Sequence, residues 1–448
     1  MALVPIKAPL RTCVFICESC SRTLRARRNP HFRISNPPRT STPFSTTSPL
    51  RTSRPLRPQQ ATFTAHRTSN ARTQHRPPRR DYATNPTISS LRHEKPLNIA
   101  PLHHRRLISL SGADAPKFLQ GLITNNVDPG VLSPFYAAFL DARGRVLWDV
   151  FIWPQTTPGE AWGCYIEVDG GELEALLRHL KKHKLRSKIN LRTLDADEVK
   201  VWADWAGVTM HMDLPAGNLA FLTDPRAPFL GTRFLLSGPG SENLPELDEE
   251  CRVQGTGRQY QVWRYINGVP EGPAEIPREI ALPMESNIDL SGGIDFRKGC
   301  YVGQELTIRT KHTGVVRKRI LPVQLYHTGE ELEEDGLPRY DPAWTGEVDI
   351  GADIKELNGE GEIKKGRAAG KLLAGIGNVG LALCRLEMMT SWRVSAEGGS
   401  WKPGVEFGLQ GKDGVNGDGR LVRVKAIVPP WLRVREKEIW EKGRSQHG

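Results

Sequence analysis

Gly293-Ile294-Asp295-Phe296-Arg297-Lys298-Gly299-Cys300-Tyr301-Val302-Gly303-Gln304-Glu305-Leu306 is the stretch around which the rest of the chain is organised. It sets one cysteine two residues after a lysine and just before a Gly-Gln-Glu. Arg297 and Lys298 bring positive charge beside the sulfur, which favours the thiolate. Gly299 and Gly303 admit backbone conformations closed to other residues and let another group approach the main chain closely. The run from Val302 to Arg309 leaves the turn as the start of a helix or of an extended segment. The competing reading is an inert cysteine packed in a core turn, since thiols are commonly buried.

Outward from this turn, 448 residues are enough for two or three domains and a sizeable core. The formal charge of +12 invites a nucleic-acid or membrane reading, but its distribution removes it. Residues 1–80 hold sixteen Lys and Arg against one acid, Glu18, so that segment carries +15 and the remainder −3. Rich in Arg, Ser, Thr and Pro, residues 1–82 have the composition of an organelle-targeting transit peptide. Arg80-Asp81-Tyr82-Ala83 resembles a mitochondrial processing site, which predicts a mature chain starting near Ala83. Beyond the leader no basic surface continues a nucleic-acid footprint. Leu10 to Cys17 is too short for a transmembrane segment, and no later apolar run reaches spanning length.

Cys13, Cys17 and Cys20 have the spacing by which radical-SAM enzymes hold a cluster, but they sit in the Arg/Ser-rich leader and not on a folded loop. That leaves Cys164, Cys251, Cys300 and Cys384, widely spaced and without a Cys-x-x-Cys pair. Such usage indicates a reducing compartment and no disulfide framework.

Leu107 to Leu110 alternates as a strand. Asp114 is placed as an N-cap with Pro116 just inside a helix, whose apolar face is Phe118, Leu119, Leu122 and Ile123. Phe135–Leu140 and Arg145–Ile152 read as strands joined by the hairpin signal Asp141-Ala142-Arg143-Gly144. A strand over Trp162–Val168 precedes an amphipathic helix over Glu172–Lys184, with Leu173, Leu176, Leu177 and Leu180 inward. His179 and His183 have metal-ligand spacing on that helix, but the intervening Lys181 and Lys182 mark a solvated basic face. Strands near Val199–Trp202, Phe221 and Phe234–Leu236 lead to a helical Tyr260–Tyr265. Pro270 to Pro283 cannot form one regular element. A strand over Val315–Val323 opens a final domain, in which 330–370 and 398–419 read as insertions or long loops. Gly375-Ile376-Gly377-Asn378-Val379-Gly380 matches a dinucleotide fingerprint, but no helix pattern follows it, so it reads as a turn between strands. Alternating strands and helices followed by a mostly β tail predict an α+β body with a small barrel.

With these residues in place, the chain resembles the YgfZ-type folate-binding family, in its mitochondrial iron–sulfur cluster assembly branch. The likeness runs from about Leu97 to Trp431. It is carried by Leu110 to Val127, the hairpin Leu140 to Val146, Arg264 to Glu271, and above all Lys298-Gly299-Cys300-Tyr301-Val302-Gly303-Gln304-Glu305. The family is similar in fold to the aminomethyltransferase of the glycine cleavage system. The resemblance therefore implies a GcvT/YgfZ-like folate-binding α+β body over 97–318, built of related subdomains around a central cavity, and a C-terminal β-barrel over 319–431. It further implies maturation of [4Fe–4S] proteins in the mitochondrial matrix with A-type assembly proteins as partners. Aconitase and the lipoate and biotin synthases would be the clients.

The resemblance also distributes roles. Asp149 stands where the transferase has a carboxylate near the folate nitrogens, at the end of the second hairpin strand, with a solvated strand end as the plain alternative. Arg264 and Tyr301 are further candidate contacts to tetrahydrofolate. Two places after Arg264 the transferase has a glutamate. Here Ile266 stands there and cannot hydrogen-bond a pterin, which counts against aminomethyl transfer and leaves folate binding open. A tetrahydrofolate-dependent one-carbon transferase is the alternative function. Because one thiolate cannot complete an iron–sulfur cluster, Cys300 is expected to be a ligand to a cluster shared with a partner, or else a reactive thiol. Lys298 and Arg297 would stabilise the sulfur, and Gln304 and Glu305 would orient the turn.

Overall fold

In the computed structural model, residues 97–155, 161–205, 218–237, 253–330, 332, 336–395, 398–411 and 421–444 are described. Residues 1–96, which hold the expected leader and processing site with Cys13, Cys17 and Cys20, and Cys251 lie outside the described residues.

The hairpin signal at Asp141 forms as read. Strands β3 (Phe135–Leu140) and β4 (Val146–Gln155) pair antiparallel. The Asp141 carboxylate accepts the backbone N–H groups of Arg143 and Arg145, each at 2.9 Å. Adding β5 (Gly163–Asp169), β2 (Arg105–Ser111) and β6 (Asn190–Thr193) gives a first sheet ordered β3-β4-β5-β2-β6. Its outer face carries α1 (Ala115–Gln120) and α2 (Leu173–Lys184). Alternation decides which residue faces which way. Ile108, Leu110, Val150 and Ile152 pack under the helices with Leu176 and Leu180, whereas Leu107, Phe151 and Trp153 face the other way. Val146 to Pro154 are all buried because both faces of β4 are covered.

Asp114 does precede α1, but its carboxylate accepts the Lys188 N–H at 2.7 Å and makes no cap hydrogen bond to α1. On α2 the His179 ring packs edge-on against Phe139 and Trp148, and His183 Nδ1 donates to the His179 carbonyl. Burial pulls His179 down to about 4, so it is a neutral ring at physiological pH.

A second sheet contains β1 (Leu97–Pro101), β7 (Val199–Asp204), β8 (Asn218–Thr223), β9 (Thr232–Ser237) and β10 (Val253–Gln254), ordered β10-β1-β7-β9-β8. Val201, Ala203 and Leu235 of this sheet share one core with Phe151 and Trp153 of the first. Helix α3 (Gly257–Ile266) adds Tyr260 to it and begins with a capping box between Thr256 and Gln259. Pro270 to Pro283 is a succession of turns.

Set in that core is a buried charge cluster. Glu271 Oε2 accepts from Arg226 Nη1 at 2.7 Å and from Arg233 Nη2 at 3.1 Å, and Glu271 Oε1 lies 2.8 Å from His104 Nε2. Arg105 and Arg233 both reach Glu167 at 2.8 Å, Arg226 grips Asp224 at 2.7 Å, and Arg264 grips Glu275 at 2.6 Å. The surrounding guanidinium groups hold Glu271 well below its usual carboxylate range against the burial that opposes them.

After helix α4 (Gln304–Thr313), a closed barrel follows. Its strands are β11 (Lys318–Tyr326), β12 (Asp353–Glu356), β13 (Gly370–Ile376), β14 (Val379–Arg385), β15 (Phe407–Gln410) and β16 (Leu421–Ala426), in the order β11-β14-β13-β12-β15-β16. Here two sequence readings are corrected. The stretches 330–370 and 398–419 are not merely insertions, since they supply β12 and β15, whose pairing with each other closes the barrel. Both strands are only four residues long, too short for their alternation to stand out from charged, Gly-rich neighbours. The glycine motif at 375–380 is the tight turn between β13 and β14, as the absence of a helix pattern indicated.

Beyond a one-turn α5 (Leu386–Met389), a helix that sequence reading missed, α6 (Pro430–Arg444), straps barrel to body. Arg435 Nη1 donates to the carbonyls of Pro225, Arg226 and Leu290, and Trp431 Nε1 donates to that of Asn267. Among the described residues, no helix is long and apolar enough to cross a membrane.

The cluster predicts an acid-labile core. Glu271→Gln leaves buried guanidinium groups uncompensated and is expected to cost roughly 3–5 kcal/mol in urea unfolding. Glu271 has a depressed pKa in the folded state. Its contribution is therefore complete above its ordinary value of 4.5 and is lost as pH falls below it. The variant should show a shallower acid limb than the parent.

Candidate functional site

The cysteine turn is built against the loop that follows α1. Thr124 Oγ1 donates to the Gly293 carbonyl at 2.6 Å and accepts the Ala138 N–H of β3. Asn125 Nδ2 donates to the carbonyls of Tyr136 and Gly292, each at 2.9 Å. Lys298 then fixes the two segments to each other. Its Nζ donates to the carbonyls of Gln120 at 2.8 Å, Ile123 at 2.6 Å and Asn125 at 2.8 Å, and lies over the Tyr301 ring at 4.9 Å. Those three carbonyls account for all three ammonium protons. Burial pulls Lys298 down to about 8, and the charge of Asp295 opposes this.

Gly303 has φ +80°, and a Cβ there would collide with the Asp141 carbonyl and lie 2.8 Å from Leu140 Cβ. The group that approaches this glycine closely is thus the β3–β4 turn. Gly299 has open space where its Cβ would be and no positive φ, so it does not share that function. From Gly303 the chain enters α4, and Gln304 Oε1 accepts the Tyr301 N–H at 3.2 Å across the turn. Glu305 is exposed in the first turn of α4, where a carboxylate complements the helix's positive end. The outcome for the sulfur is clear. Cys300 is exposed, whereas Cys164 and Cys384 are buried with their thiols pushed up by burial. The reading of Cys300 as an inert core thiol is therefore corrected. Arg297 is exposed nearby, and its backbone N–H donates to Asp295 Oδ1.

Of the other candidate residues, Asp149 and Arg264 lie in the charge cluster. Asp149 is neither at a strand end nor solvated. It sits in the middle of β4 at 3% exposure, and its Oδ1 accepts the Gly272 N–H at 3.0 Å. Its Oδ2 and Arg105 Nη1 lie 3.8 Å apart, and each lacks a hydrogen-bond partner. Burial pushes the Asp149 carboxyl up, and Arg105 opposes this. Arg264 is held by Glu275 and the Val269 carbonyl, and its Nε makes no hydrogen bond but lies 4.0 Å from Glu271 Oε1. Ile266 is buried in an apolar cluster with Leu381. Tyr301 packs in the same core as Tyr136 and Ile294, and burial raises its hydroxyl to about 12. Sequence reading missed Arg105, Arg226, Arg233, Glu167 and Glu275. Scattered from position 105 to 275, they carry no local signal.

Two facing sheets with an appended six-stranded barrel define an aminomethyltransferase-like fold, and among the described residues one thiol, that of Cys300, is exposed. The solved structure of glycine cleavage system aminomethyltransferase T from Bartonella henselae matches with a TM-score of 0.52, covering 77% of this chain and 89% of that one at 12% identity. Residues 317–434 match the family described as CAF17, C-terminal beta-barrel domain. The iron–sulfur cluster assembly factor IBA57 homolog, mitochondrial, of Phaeosphaeria nodorum is 50% identical over 351 residues, 77% of this chain and 82% of the relative. That of Pyricularia oryzae is 47% identical over 339 residues, 74% and 84% of the two chains. The chain belongs to this family of mitochondrial IBA57 homologues.

The Lys298 geometry carries a prediction. Lys298→Met leaves three carbonyls without their donor, and amide exchange over 121–126 should accelerate by about tenfold or more. Lys298→Arg should not restore protection, because a planar guanidinium cannot present one nitrogen to three converging carbonyls.

Proposed function

We propose that this mitochondrial protein acts in iron–sulfur cluster assembly and promotes maturation of [4Fe–4S] proteins in the matrix, with Cys300 as one ligand to a cluster shared with an A-type partner. The cluster is cargo here. Its clients would be enzymes of the aconitase, lipoate synthase and biotin synthase kind. The observation that carries the reading is the setting of Cys300, an exposed sulfur on a turn held from both sides, while Cys164 and Cys384 are inaccessible. A single thiolate holds no cluster alone, so the site is completed only by another protein. Lys298 is occupied by carbonyls and holds the turn in place. The reading is tested by anaerobic co-purification with an A-type protein after reconstitution with iron and sulfide. Cys300→Ser should lose the cluster-bearing complex. An unchanged spectrum and stoichiometry in that variant would overturn the assignment.

A second reading, tetrahydrofolate binding, is favoured by one observation. The facing Arg105 Nη1 and Asp149 Oδ2 form an unsatisfied donor and acceptor in the body's core. They fit the polar edge of a pterin, with Asp149 accepting or, when protonated, donating. Tetrahydrofolate would bring one-carbon chemistry if bound. Ile266 leaves that chemistry without the polar group found two places after the matching arginine in the transferase. Calorimetry with tetrahydrofolate should then show binding that Asp149→Asn weakens by about tenfold. No heat from the parent protein would rule the second reading out.

A further inference from the structure

At the opposite end of α1 from the cysteine turn, α1 and the end of α2 enclose a notch of about 640 Å³ lined by Asp114, Lys117, Phe118, Leu185, Arg186 and Ser187. Its surroundings are one-sided in charge, which corrects the expectation that no basic surface lies beyond the first eighty residues. Six of the eleven residues from Arg178 to Lys188 are Lys or Arg and none is acidic, in a chain that beyond residue 80 carries −3. Lys181, Lys182, Arg186, Lys188 and, across the notch, Lys117 are exposed. The acid of the lining, Asp114, is occupied by the Lys188 N–H.

Apolar surface lies within the same patch. Leu185 is 88% exposed at the end of α2, with φ +44°. Helices that end in a positive φ ordinarily do so with glycine, because a branched side chain there is strained. This leucine is held out beside Phe118 by a conformation its side chain disfavours. The notch and the cysteine turn lie at the two ends of the same helix. Lys117 stands one helical turn before Gln120, whose carbonyl holds Lys298, and Val302 of the turn packs on the cluster that contains Phe118. With a rise of about 1.5 Å per residue, α1 separates the two by about 9 Å along its axis.

We propose that this notch is a docking surface for an acidic protein segment bearing an apolar side chain, presented by the partner that meets Cys300. The partner's identity rests on the shared-ligand reading of Cys300. The notch itself does not. Carboxylates would pair with the exposed lysines and Arg186, and the apolar residue would enter between Leu185 and Phe118. A protein segment is favoured over a membrane because the surface is concave, and a bilayer cannot fill a notch. Charge of one sign around the recess would also speed and orient encounter with an acidic partner.

The test compares the full-length protein with a triple variant, Lys182→Glu, Arg186→Glu and Lys188→Glu, using a fluorescein-labelled peptide of Glu and Asp around a central Leu-Phe pair. The arginine-rich leader is common to both proteins, so the difference reads the notch. All three side chains are exposed, and thermal unfolding checks that the fold is kept. The triple variant should bind the peptide about tenfold or more weakly, with the loss shrinking as salt rises. Leu185→Ser should weaken binding with little dependence on salt, and Cys300→Ser should leave peptide binding unchanged. The same triple variant should weaken the complex with an A-type protein. Peptide affinities within about twofold of each other overturn the proposal. So does capture of the parent by anionic phospholipid vesicles that is lost in the triple variant while peptide binding is not. Peptide binding that depends on the notch, without any complex with the A-type protein, upholds the notch and removes that partner.

Discussion

One buried carboxylate, Glu271, holds the body together. It lies at the end of the Asn-Gly-Val-Pro-Glu segment and meets Arg226, Arg233 of β9 and, at the solvent side, His104. Through Arg233 and Glu167 it is coupled to Arg105 of β2, and through the Tyr260 hydroxyl to α3. Five carboxylates face four arginines across the space between the sheets, and the guanidinium planes of Arg226 and Arg233 lie over Phe151 at 4.9 and 4.3 Å. Buried charges tolerate few arrangements, since each must find its partner or face a large desolvation penalty. An apolar core would allow the two sheets to slide, whereas this one sets their spacing.

On that frame the cysteine turn is positioned from two directions. From below, Tyr301 and Ile294 pack into the same core as the cluster's aromatic lining. From the side, Lys298 binds three carbonyls of the 120–125 loop and Gly303 receives the β3–β4 turn. The lysine of the signature is therefore a structural clamp, and the residue it clamps for is an exposed thiol. A rigid turn that presents one sulfur is consistent with the shared-ligand role proposed for Cys300, since a preset geometry would favour completion of a cluster by a partner. The basic notch lies at the other end of α1 from this turn.

Elements with strong periodicity were legible in the sequence. The Asp141–Gly144 hairpin, α2 with its four inward leucines, and the Gly375–Gly380 turn all follow from local pattern. Strands β12 and β15 were not legible, because four residues of a charged segment become a strand only when barrel neighbours pair with them. Helix α6 had a signal that went unread, a proline at its first position followed by Trp431 and Leu432, which are buried. The strand-end position of Asp149 rests on the resemblance to the transferase, whereas the residue lies inside β4, which runs from Val146 to Gln155.

Residue order alone shows an acid-poor, arginine-rich stretch over the first eighty residues, an α+β body, a β-rich tail and one cysteine in a charged, glycine-flanked setting. These are properties of composition, periodicity and local order, which neighbouring residues carry. Only the tertiary structure decided what the lysine beside that cysteine does, which glycine is sterically required, and that Asp149 is buried beside Arg105. Those outcomes depend on contacts between segments more than a hundred residues apart, such as Lys298 with Ile123 and Asp149 with Gly272. A charged side chain has the same local signature whether it faces water, a sulfur or three carbonyls, and the partner it finds is set by the fold.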